Sequence, residues 1–472
     1  MSEFRTRLDP WIIVLAGLIA VWWVFAGSDK TPASSIDTLA RSTDPKLWIE
    51  ALESGDRTIR DYARENILKS LTPDALGPVA MEECKSSDAS GQLAGLWVLG
   101  RVSVAGRGQL AATFLQNDNP SVLAAALRVL AEDPMPSVRD RILAFVDDPE
   151  VEVKAASLSA LAALHDPNDL PLLISNLSET SASVREAARN GILNIAPYAP
   201  QTVAALITAA YGSDRSAGRE ALQLLGDVGD PAALDALFAF VERGPVGMTG
   251  EAADAIGKIG GKRATDRALE LYLNGQGQAR NQAARILGAI GVVEARDYLW
   301  AVVRDDSNEF WLRYWSMDAL ATCGDASLVP EVVDFLEKDE PDPRLIRVGI
   351  EALGGMDGDQ VIGLYDRIIA GDIDFGLNES GGHAALVSVI TGLGKMNTDA
   401  SRERLRSLAT STEPDSFDVV RAIAMSLGKV GTPQDIEILR DLERDRFILD
   451  RDISAAIAQI EQRYPSETDD PH

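Results

Sequence analysis

The sequence predicts an all-α protein, an α-solenoid of about thirteen helix pairs preceded by one transmembrane helix. Apolar anchor residues recur at steps of 30–40 residues, most often 31, and a period in this range is typical of stacked helical repeats. The apolar spacing around each anchor is helical, and no stretch alternates as a strand does. A long uncharged run near the N-terminus indicates the membrane helix.

Residues 11–27 are the predicted transmembrane signal anchor, and residues 1–10 would lie in the cytoplasm. The run Trp11–Gly27 contains 17 residues without a charge. As a helix it would span about 25 Å, slightly less than the ~30 Å hydrocarbon core of a bilayer. Two alternatives stay open. One is a signal peptide cleaved near Ala26, since Val24 and Ala26 are small enough to precede the cleaved bond, and the other is a buried helix of the folded domain.

The basic residues around this run indicate its orientation. Arg5 and Arg7 favour an N-terminus in the cytoplasm, although Lys30 and Arg41 reduce the contrast. The rest of the chain would then lie outside the cytoplasmic membrane, which in a bacterium means the periplasm or the cell surface. Residues 28–42 are rich in small and polar side chains and are expected to form a linker. Cleavage near Ala26 would instead give a secreted protein.

Residues 43–465 contain the predicted repeats, and residues 466–472 are expected to be a disordered acidic tail. Each repeat begins with a helix rich in small residues and continues, after a turn, with a helix of broad aliphatic spacing. Leucine-glycine, two residues and a second glycine often end the first helix, and the second glycine is expected to form a left-handed cap. The anchors are Leu68, Leu99, Leu130, Leu161, Ile192, Leu225, Ile256, Leu287, Leu320, Leu353, Leu393, Leu427 and Ile457.

These units resemble the HEAT-like repeats of the phycobilin-lyase type. The segments that carry the resemblance are SVREAARNGI at 183–192, LLGDVGDPAALDALFAFV at 224–241, ILGAIGVVEARDYL at 286–299 and SLGKVGTPQDIEIL at 426–439. The resemblance implies a right-handed solenoid whose small-residue helices line the concave side. It also implies a ladder in which a basic residue before each anchor bonds an acidic residue of the preceding turn. The candidates are Arg60, Lys154, Arg185, Arg219, Arg280, Arg313, Arg347 and Arg421.

The stretch EFWLRYW, residues 309–315, holds four aromatic residues in six positions. Alignment of the repeats places Leu312 in the core and Tyr314 at a position that holds asparagine, glutamate or alanine in other repeats, so Tyr314 is expected to be exposed. A helix would arrange the aromatics as two neighbouring stripes, too wide for a site built around alanine. Part of this cluster is therefore expected to be exposed. Exposed tryptophan and tyrosine are typical anchors of protein interfaces, so Phe310, Trp311, Tyr314 and Trp315 are candidate partner-binding residues.

Trp97 is a further candidate, because its position holds arginine, serine, asparagine, glutamine or aspartate in other repeats. It is expected to be exposed and to contribute to partner binding. The alternative for the main cluster is structural: Trp311 and Trp315 would fold over Trp300 and the connection before Glu309 as a small satellite core.

An insertion at residues 370–382 lengthens one repeat. Asp372, Asp374, Asn378 and Glu379 supply oxygen ligands that calcium could use, but their order is not that of an EF-hand loop. A polar insertion without metal is the alternative. No other metal or cofactor site is expected: Cys84 and Cys323 stand alone, and the three histidines are His165, His383 and His472.

Composition limits the class of partner. The 472 residues are 46% hydrophobic and 25% charged, which is typical of a folded protein. The 45 basic and 72 acidic residues give a net charge of −27, which repels phosphate backbones and anionic headgroups. Nucleic acid is therefore not an expected partner.

The function predicted from these features is that of a membrane-tethered scaffold that binds proteins along its concave surface and catalyses no reaction. The alternatives are an enzyme of the bilin-lyase-like class and a module that binds a ligand or polysaccharide through its aromatic cluster. The iron-binding branch of the same family uses His-Glu pairs, whereas His165 is followed by aspartate and His383 by alanine. No nucleotide-binding glycine motif is found either.

Overall fold

The computed structural model describes residues 36–464 except 246, 324–325, 339–341, 357–358, 374, 376, 378–382, 412–415 and 444–449. Over these residues the protein is helical and contains no β-strand, which confirms the all-α part of the predicted fold class. The chain divides into two compact units, at residues 1–198 and 199–472.

Unit 1 contains eleven of the described α-helices. They are α1 (Ile36–Ala40), α2 (Pro45–Leu52), α3 (Arg57–Ser70), α4 (Pro73–Glu83), α5 (Ala89–Leu99), α6 (Arg107–Thr113), α7 (Pro120–Glu132), α8 (Arg139–Leu143), α9 (Val151–Ala162), α10 (Leu170–Ser175) and α11 (Ala182–Ile195). Short 3₁₀ turns precede α8 and α10.

Unit 2 continues the alternation of helices over its described residues. Its helices are α12 (Thr202–Ala210), α13 (Arg215–Val228), α14 (Leu234–Arg243), α15 (Thr249–Ile259), α16 (Gly261–Asn274), α17 (Gly277–Ile290), α18 (Arg296–Arg304), α19 (Phe310–Cys323), α20 (Val329–Lys338), α21 (Pro343–Leu353), α22 (Asp359–Ile369), α23 (Ala384–Met396), α24 (Asp399–Ser411), α25 (Phe417–Val430), α26 (Asp435–Glu443) and α27 (Asp450–Arg463).

Local sequence explains where many of these helices begin. Asp44, Asn119 and Asp342 precede a proline at the first helical position, and each side chain accepts a hydrogen bond from the backbone N–H two residues ahead. Proline suits this position because its fixed φ is helical and its missing N–H would have had no partner. The side-chain oxygen satisfies one of the N–H groups that a helix start leaves free.

The thirteen predicted anchors lie in thirteen different helices, which we call A helices. From α5 to α11 in unit 1, and from α13 to α27 in unit 2, each A helix packs on the next A helix, while the intervening B helices cover the layer. Eleven anchors have at most 1% of their surface exposed. The predictions for the two end anchors were wrong. Leu68 is 43% exposed beside the buried Ile67. In the last helix, Ile453 and Ile460 fill the core, and Ile457 does not.

The two glycines of the leucine-glycine pattern have different roles. A Cβ at Gly226 would lie 2.9 Å from the Cα of Ala255, and one at Gly288 would lie 2.8 Å from the Cα of Ala319, each in the next A helix. The first glycine therefore allows adjacent A helices to touch backbone to backbone. The second glycine forms the predicted left-handed cap at Gly229 and Gly291, with φ of 70° and 76°. At Gly431 the prediction was wrong, since its φ is −67°.

The predicted ladder of basic residues forms hydrogen bonds different from those expected. Arg185 donates to the backbone carbonyl oxygens of Glu179 and Thr180, at 2.6 and 2.9 Å, and not to an acidic side chain of the preceding turn. Arg60, Arg280 and Arg313 bond carbonyls in the same way. Others point forward along the array, as Arg421 does to Asp452 of the next A helix at 3.0 Å. The carbonyl bonds hold these A helices to the preceding turn or B helix, and the bond of Arg421 holds its helix to the next A helix.

The N-terminal predictions are tested only in part. The run Trp11–Gly27 lies outside the described residues, and within the described part of the chain no helix is both long and apolar enough to cross a bilayer. The segment expected to be a linker, residues 28–42, is helical at Ile36–Ala40, where Leu39 is fully buried. The linker prediction was therefore wrong for these residues, because Leu39 belongs to the core of unit 1.

The two cysteines should be unreactive while the protein is folded. Burial raises the pKa of Cys84 to about 12, with a contribution from the charge of Glu83, and raises the pKa of Cys323 to about 11, with a contribution from Glu294. The reactive thiolate is therefore scarce at about pH 8.5, the ordinary pKa of a thiol. We expect negligible modification by a chromogenic disulfide reagent until denaturant is added. Rapid modification of the native protein would contradict this prediction.

Candidate protein-binding surfaces

The predicted aromatic cluster lies at the start of α19, and the helix turns part of it outward. Leu312, Ser316 and Leu320 form the buried side of this helix. Trp311 is 46% exposed, the largest exposed fraction among the four cluster aromatics, while Phe310, Tyr314 and Trp315 are half-buried. The exposure expected for part of the cluster is thus observed, and we call these four residues the aromatic surface.

The four rings support one another by edge-to-face and tilted contacts. The ring centroids of Phe310 and Trp311 are 5.1 Å apart, those of Trp311 and Tyr314 5.7 Å, and those of Tyr314 and Trp315 5.2 Å. These separations are in the favourable range for aromatic pairs. The rings therefore form one continuous patch and not four independent side chains.

An arginine from the next A helix fixes one end of the aromatic surface. The guanidinium carbon of Arg344 lies 3.9 Å from the ring centroid of Phe310 and 5.9 Å from that of Trp311. The same guanidinium donates two hydrogen bonds to the carboxylate of Asp342, at 3.0 and 2.9 Å. A cation over the face of a ring is attracted by its quadrupole, so the Asp342–Arg344 pair holds the Phe310 ring in place.

A second arginine fixes the other end. Arg285 of α17 lies 5.2 Å from the ring centroid of Trp315 and donates to Asp254 of α15 at 2.6 Å. The contacts therefore run from α15 through α17 and α19 to the start of α21. Four successive A helices contribute, which places the aromatic surface on the face formed by the A-helix layer.

Polar groups border the aromatic surface beside Tyr314. Burial raises the pKa of the Tyr314 phenol, and the nearby carboxylates of Glu351 and Asp318 add to this effect. Asp318 of α19 pairs with Lys395 of α23 at 3.5 Å, a contact that passes over α21. Because packed helices lie 8–10 Å apart, a contact between residues two helices apart is favoured where the layer bends toward this face. The pair supports the expectation that A helices line a concave side within unit 2.

The alternative interpretation of the cluster as a satellite core with Trp300 is not what is observed. The Trp300 ring contacts Phe335 at a centroid distance of 5.7 Å, and its indole N–H donates to Glu331 at 2.8 Å. Among the described residues, no ring contact joins Trp300 to Trp311 or Trp315. The burial of Trp315 comes from Tyr314 and Arg285 instead.

Trp97 lies in unit 1, on α5, and is half-buried. The prediction of an exposed side chain was therefore only partly right. Arg101, one helical turn further on, covers the indole at 3.9 Å from the ring centroid and also donates to the backbone oxygen of Trp97 at 3.0 Å. Trp97 lines a groove of about 860 Å³ that runs across α3, α5, α7 and α9.

The calcium prediction lies largely outside the described residues. Asp374, Asn378 and Glu379 are not described, and Asp372 is exposed. Across the described ranges, no three histidine, cysteine, aspartate or glutamate residues come together as metal ligands would.

The sequence did not reveal the cations that hold the aromatic side chains. Arg344 and Arg285 come from neighbouring repeats, so their contacts depend on how the repeats stack and leave no local pattern. Arg101 could have been found, because it is four residues after Trp97 and such pairs lie on one face of a helix.

The fold defines the class of protein: an α-solenoid of stacked helix pairs. Two segments, residues 109–192 and 384–458, match the family model of HEAT repeats. These matches confirm the HEAT assignment for those segments. No curated protein sequence matches the chain.

Several solved structures are distantly similar. The chain resembles Kap121p with 11% identity and a TM-score of 0.35, over 88% of this chain and 56% of Kap121p. It resembles yeast importin-beta, Kap95p, with 14% identity and a TM-score of 0.41, over 92% of this chain and 67% of that one. Human deoxyhypusine hydroxylase has 16% identity and a TM-score of 0.23, over 60% of this chain and 95% of its own. The chain thus spans just over half the length of Kap121p.

Proposed function

We propose that this protein is a scaffold that binds partner proteins through the A-helix face, with no chemistry of its own. The observation that carries the proposal is the aromatic surface, in which Trp311 is exposed within a patch held by Arg344 and Arg285. A contiguous aromatic patch that stays partly exposed to solvent is typical of protein-interaction sites.

The physical basis is preorganisation. A flexible surface loses conformational entropy when a partner orders it, whereas rings already packed between two arginines lose little. Tryptophan and tyrosine in the centre of an interface can each contribute about 2 kcal/mol or more to binding. The aromatic surface therefore has the features of an interface hot spot.

Membrane tethering is the second part of the proposal and rests on the uncharged run Trp11–Gly27. We propose that it anchors the protein in the cytoplasmic membrane, with the repeats on the outer side. Deletion of residues 1–35 should move the protein from the membrane fraction to the soluble fraction. Recovery of the full-length protein in the soluble fraction would contradict tethering, and a mature N-terminus near Gly27 would favour signal cleavage.

The binding proposal is tested by affinity capture with detergent-solubilised full-length protein. The double variant Trp311→Ala/Trp315→Ala should lose one or more partners that the wild type captures, because the patch loses its two largest rings. Tyr298→Ala is the matched control, since Tyr298 is an equally exposed aromatic residue on α18, a B helix. Identical partners for all three proteins would contradict the proposal. Pigment or metal absorbance in the purified protein would favour the enzyme alternative.

A further inference from the structure

The groove in unit 1 contains a concentration of arginine that is unusual for a protein with a net charge of −27. Arg64 of α3, Arg101 in the turn just after α5 and Arg128 of α7 line it, together with Trp97. We call these four residues the arginine groove. They lie on the A-helix layer of unit 1, whereas the aromatic surface belongs to unit 2.

The guanidinium groups of the arginine groove are only weakly satisfied within the protein. Arg128 pairs with Glu152 at 3.4 Å, and both side chains are more than half exposed, so the pair contributes little to stability. Arg101 donates one hydrogen bond, to the backbone oxygen of Trp97. Arg64 is exposed and has no ion pair among the described residues. Most of the donors of the three fork-shaped groups therefore remain available.

The three arginines are close enough to repel one another. Burial lowers the pKa of Arg101, and the positive charges of Arg128 and Arg64 lower it further, against a smaller opposing contribution from Glu132. Like charges held together in this way are stabilised when an anion lies between them. The groove therefore has a charge distribution that favours binding of carboxylates or phosphates.

We propose that the arginine groove binds an acidic segment of a partner protein, with its carboxylates on Arg64, Arg101 and Arg128 and an apolar side chain against Trp97. Arginine binds carboxylates in a bidentate manner. The groove is also lined by Glu53, Glu132 and Glu152. A uniform polyanion such as nucleic acid would be repelled by these carboxylates, whereas an acidic peptide can place its own carboxylates away from them. The proposal shares with the proposed function the premise that the protein binds proteins, but it rests on residues of unit 1 alone.

The test measures binding of three fluorescent probes to the full-length protein by polarisation. The probes are a short glutamate-rich peptide with a central leucine, the same peptide with lysine in place of glutamate, and a single-stranded oligonucleotide. We expect the acidic peptide to bind with the highest affinity, and this affinity to fall as salt is added. No binding of the acidic peptide, or tighter binding of the oligonucleotide, would overturn the proposal.

Three variants locate the site. Arg101→Glu should weaken binding of the acidic peptide by about tenfold or more, because it places a like charge against the ligand. Trp97→Ala should weaken binding of the acidic peptide several-fold, because it removes the ring against which the leucine of the peptide would pack. Lys69→Glu carries the same charge change on α3 but does not line the groove, and it should have little effect. Equal losses for Lys69→Glu and Arg101→Glu would show long-range attraction only and overturn the proposal.

Two controls separate this result from other failures. Thermal unfolding of each variant verifies that the fold is retained, and Arg64→Glu, at a fully accessible position, replaces Arg101→Glu if that variant does not fold. Trp311→Ala should leave binding of the acidic peptide unchanged. If the protein binds the acidic peptide but the aromatic variants capture the same partners as the wild type, the result would support this inference and contradict the proposed function of the aromatic surface.

Discussion

Alanine at Gly355 should lower the free energy of unfolding by about 3 kcal/mol or more, the largest effect expected of a single methyl group in this chain. A Cβ there would lie 2.6 Å from the carbonyl carbon and 2.9 Å from the Cα of Ala321 in α19. The neighbouring Gly354 is equally confined, with its Cβ 2.7 Å from the Cα of Gly392 in α23. Backbone atoms cannot turn aside as a side chain can, so α19, α21 and α23 must separate, and overpacking of this kind is costly.

Gly363→Ala is the matched control, because it adds the same methyl group one helix further on. Gly363 lies in α22, is exposed, and has no atom within 4 Å of a Cβ. Alanine there should stabilise the protein by about 0.5–1 kcal/mol, since glycine weakens a helix interior by that amount. Chemical denaturation followed by circular dichroism measures both. Similar stabilities for Gly355→Ala and the wild type would refute the close packing of the A helices.

Asp435→Ala should destabilise the protein by about 1–3 kcal/mol, the cost of leaving hydrogen-bond donors without their buried acceptor. The Asp435 side chain is fully buried and accepts hydrogen bonds from Arg406 of the preceding B helix at 2.6 and 3.0 Å. It also accepts from the backbone N–H and the hydroxyl of Thr432, at 2.7 and 3.1 Å. Loss of the carboxylate would leave the Arg406 charge and the Thr432 donors without their partner.

Asp366→Ala provides the comparison for this prediction. Asp366 accepts two hydrogen bonds from Arg404, on the same helix as Arg406, at 3.2 and 3.0 Å, but both side chains are partly exposed. Both carboxylates accept two hydrogen bonds from an arginine, but that of Asp366 is partly exposed where that of Asp435 is buried. The expected loss of stability is therefore at most about 1 kcal/mol. Equal losses at the two positions would show that burial is not what makes the Asp435 pair important.

The Asp435 pair should also make stability depend on pH. Burial alone would raise the pKa of Asp435, but the hydrogen bonds from Arg406 and Thr432 outweigh it and hold the pKa below its ordinary value. The unfolded chain therefore binds this proton more tightly than the folded one. The stabilisation is fully present above the ordinary pKa of about 3.9 and is lost as the pH falls toward the folded value. Asp435→Ala should accordingly show a smaller loss of stability between neutral and acid pH than the wild type.

Most of the fold could be predicted from the sequence, because each repeat contains a buried anchor residue and these anchors recur at a nearly constant spacing. The errors lie at the ends. Leu68 and Ile457 lie in the first and last of the described A helices, where the packing departs from that of the repeats between them. Leu39 was assigned to a linker because its surroundings are polar, and a single buried leucine leaves no periodic signal.

The candidate sites could be predicted only where equivalent positions in different repeats could be compared. That comparison predicted exposure of part of the aromatic cluster and of Tyr314 in particular, whereas the most exposed ring is that of Trp311 and Tyr314 is half-buried. The half-burial of Trp97 did not follow, since it depends on the conformation of Arg101. The arginine groove was missed for a similar reason: Arg64 and Arg128 are distant in sequence and approach one another only when their helices stack.

The contact between Asp318 and Lys395 has a mechanical consequence for unit 2. The pair would break if this part of the solenoid opened, while the backbone contacts of Gly354 and Gly355 resist its closing further. Both side chains are partly exposed, so the pair contributes at most about 1 kcal/mol. Because dissolved ions screen such attraction, opening of this region should become slightly easier as the salt concentration rises.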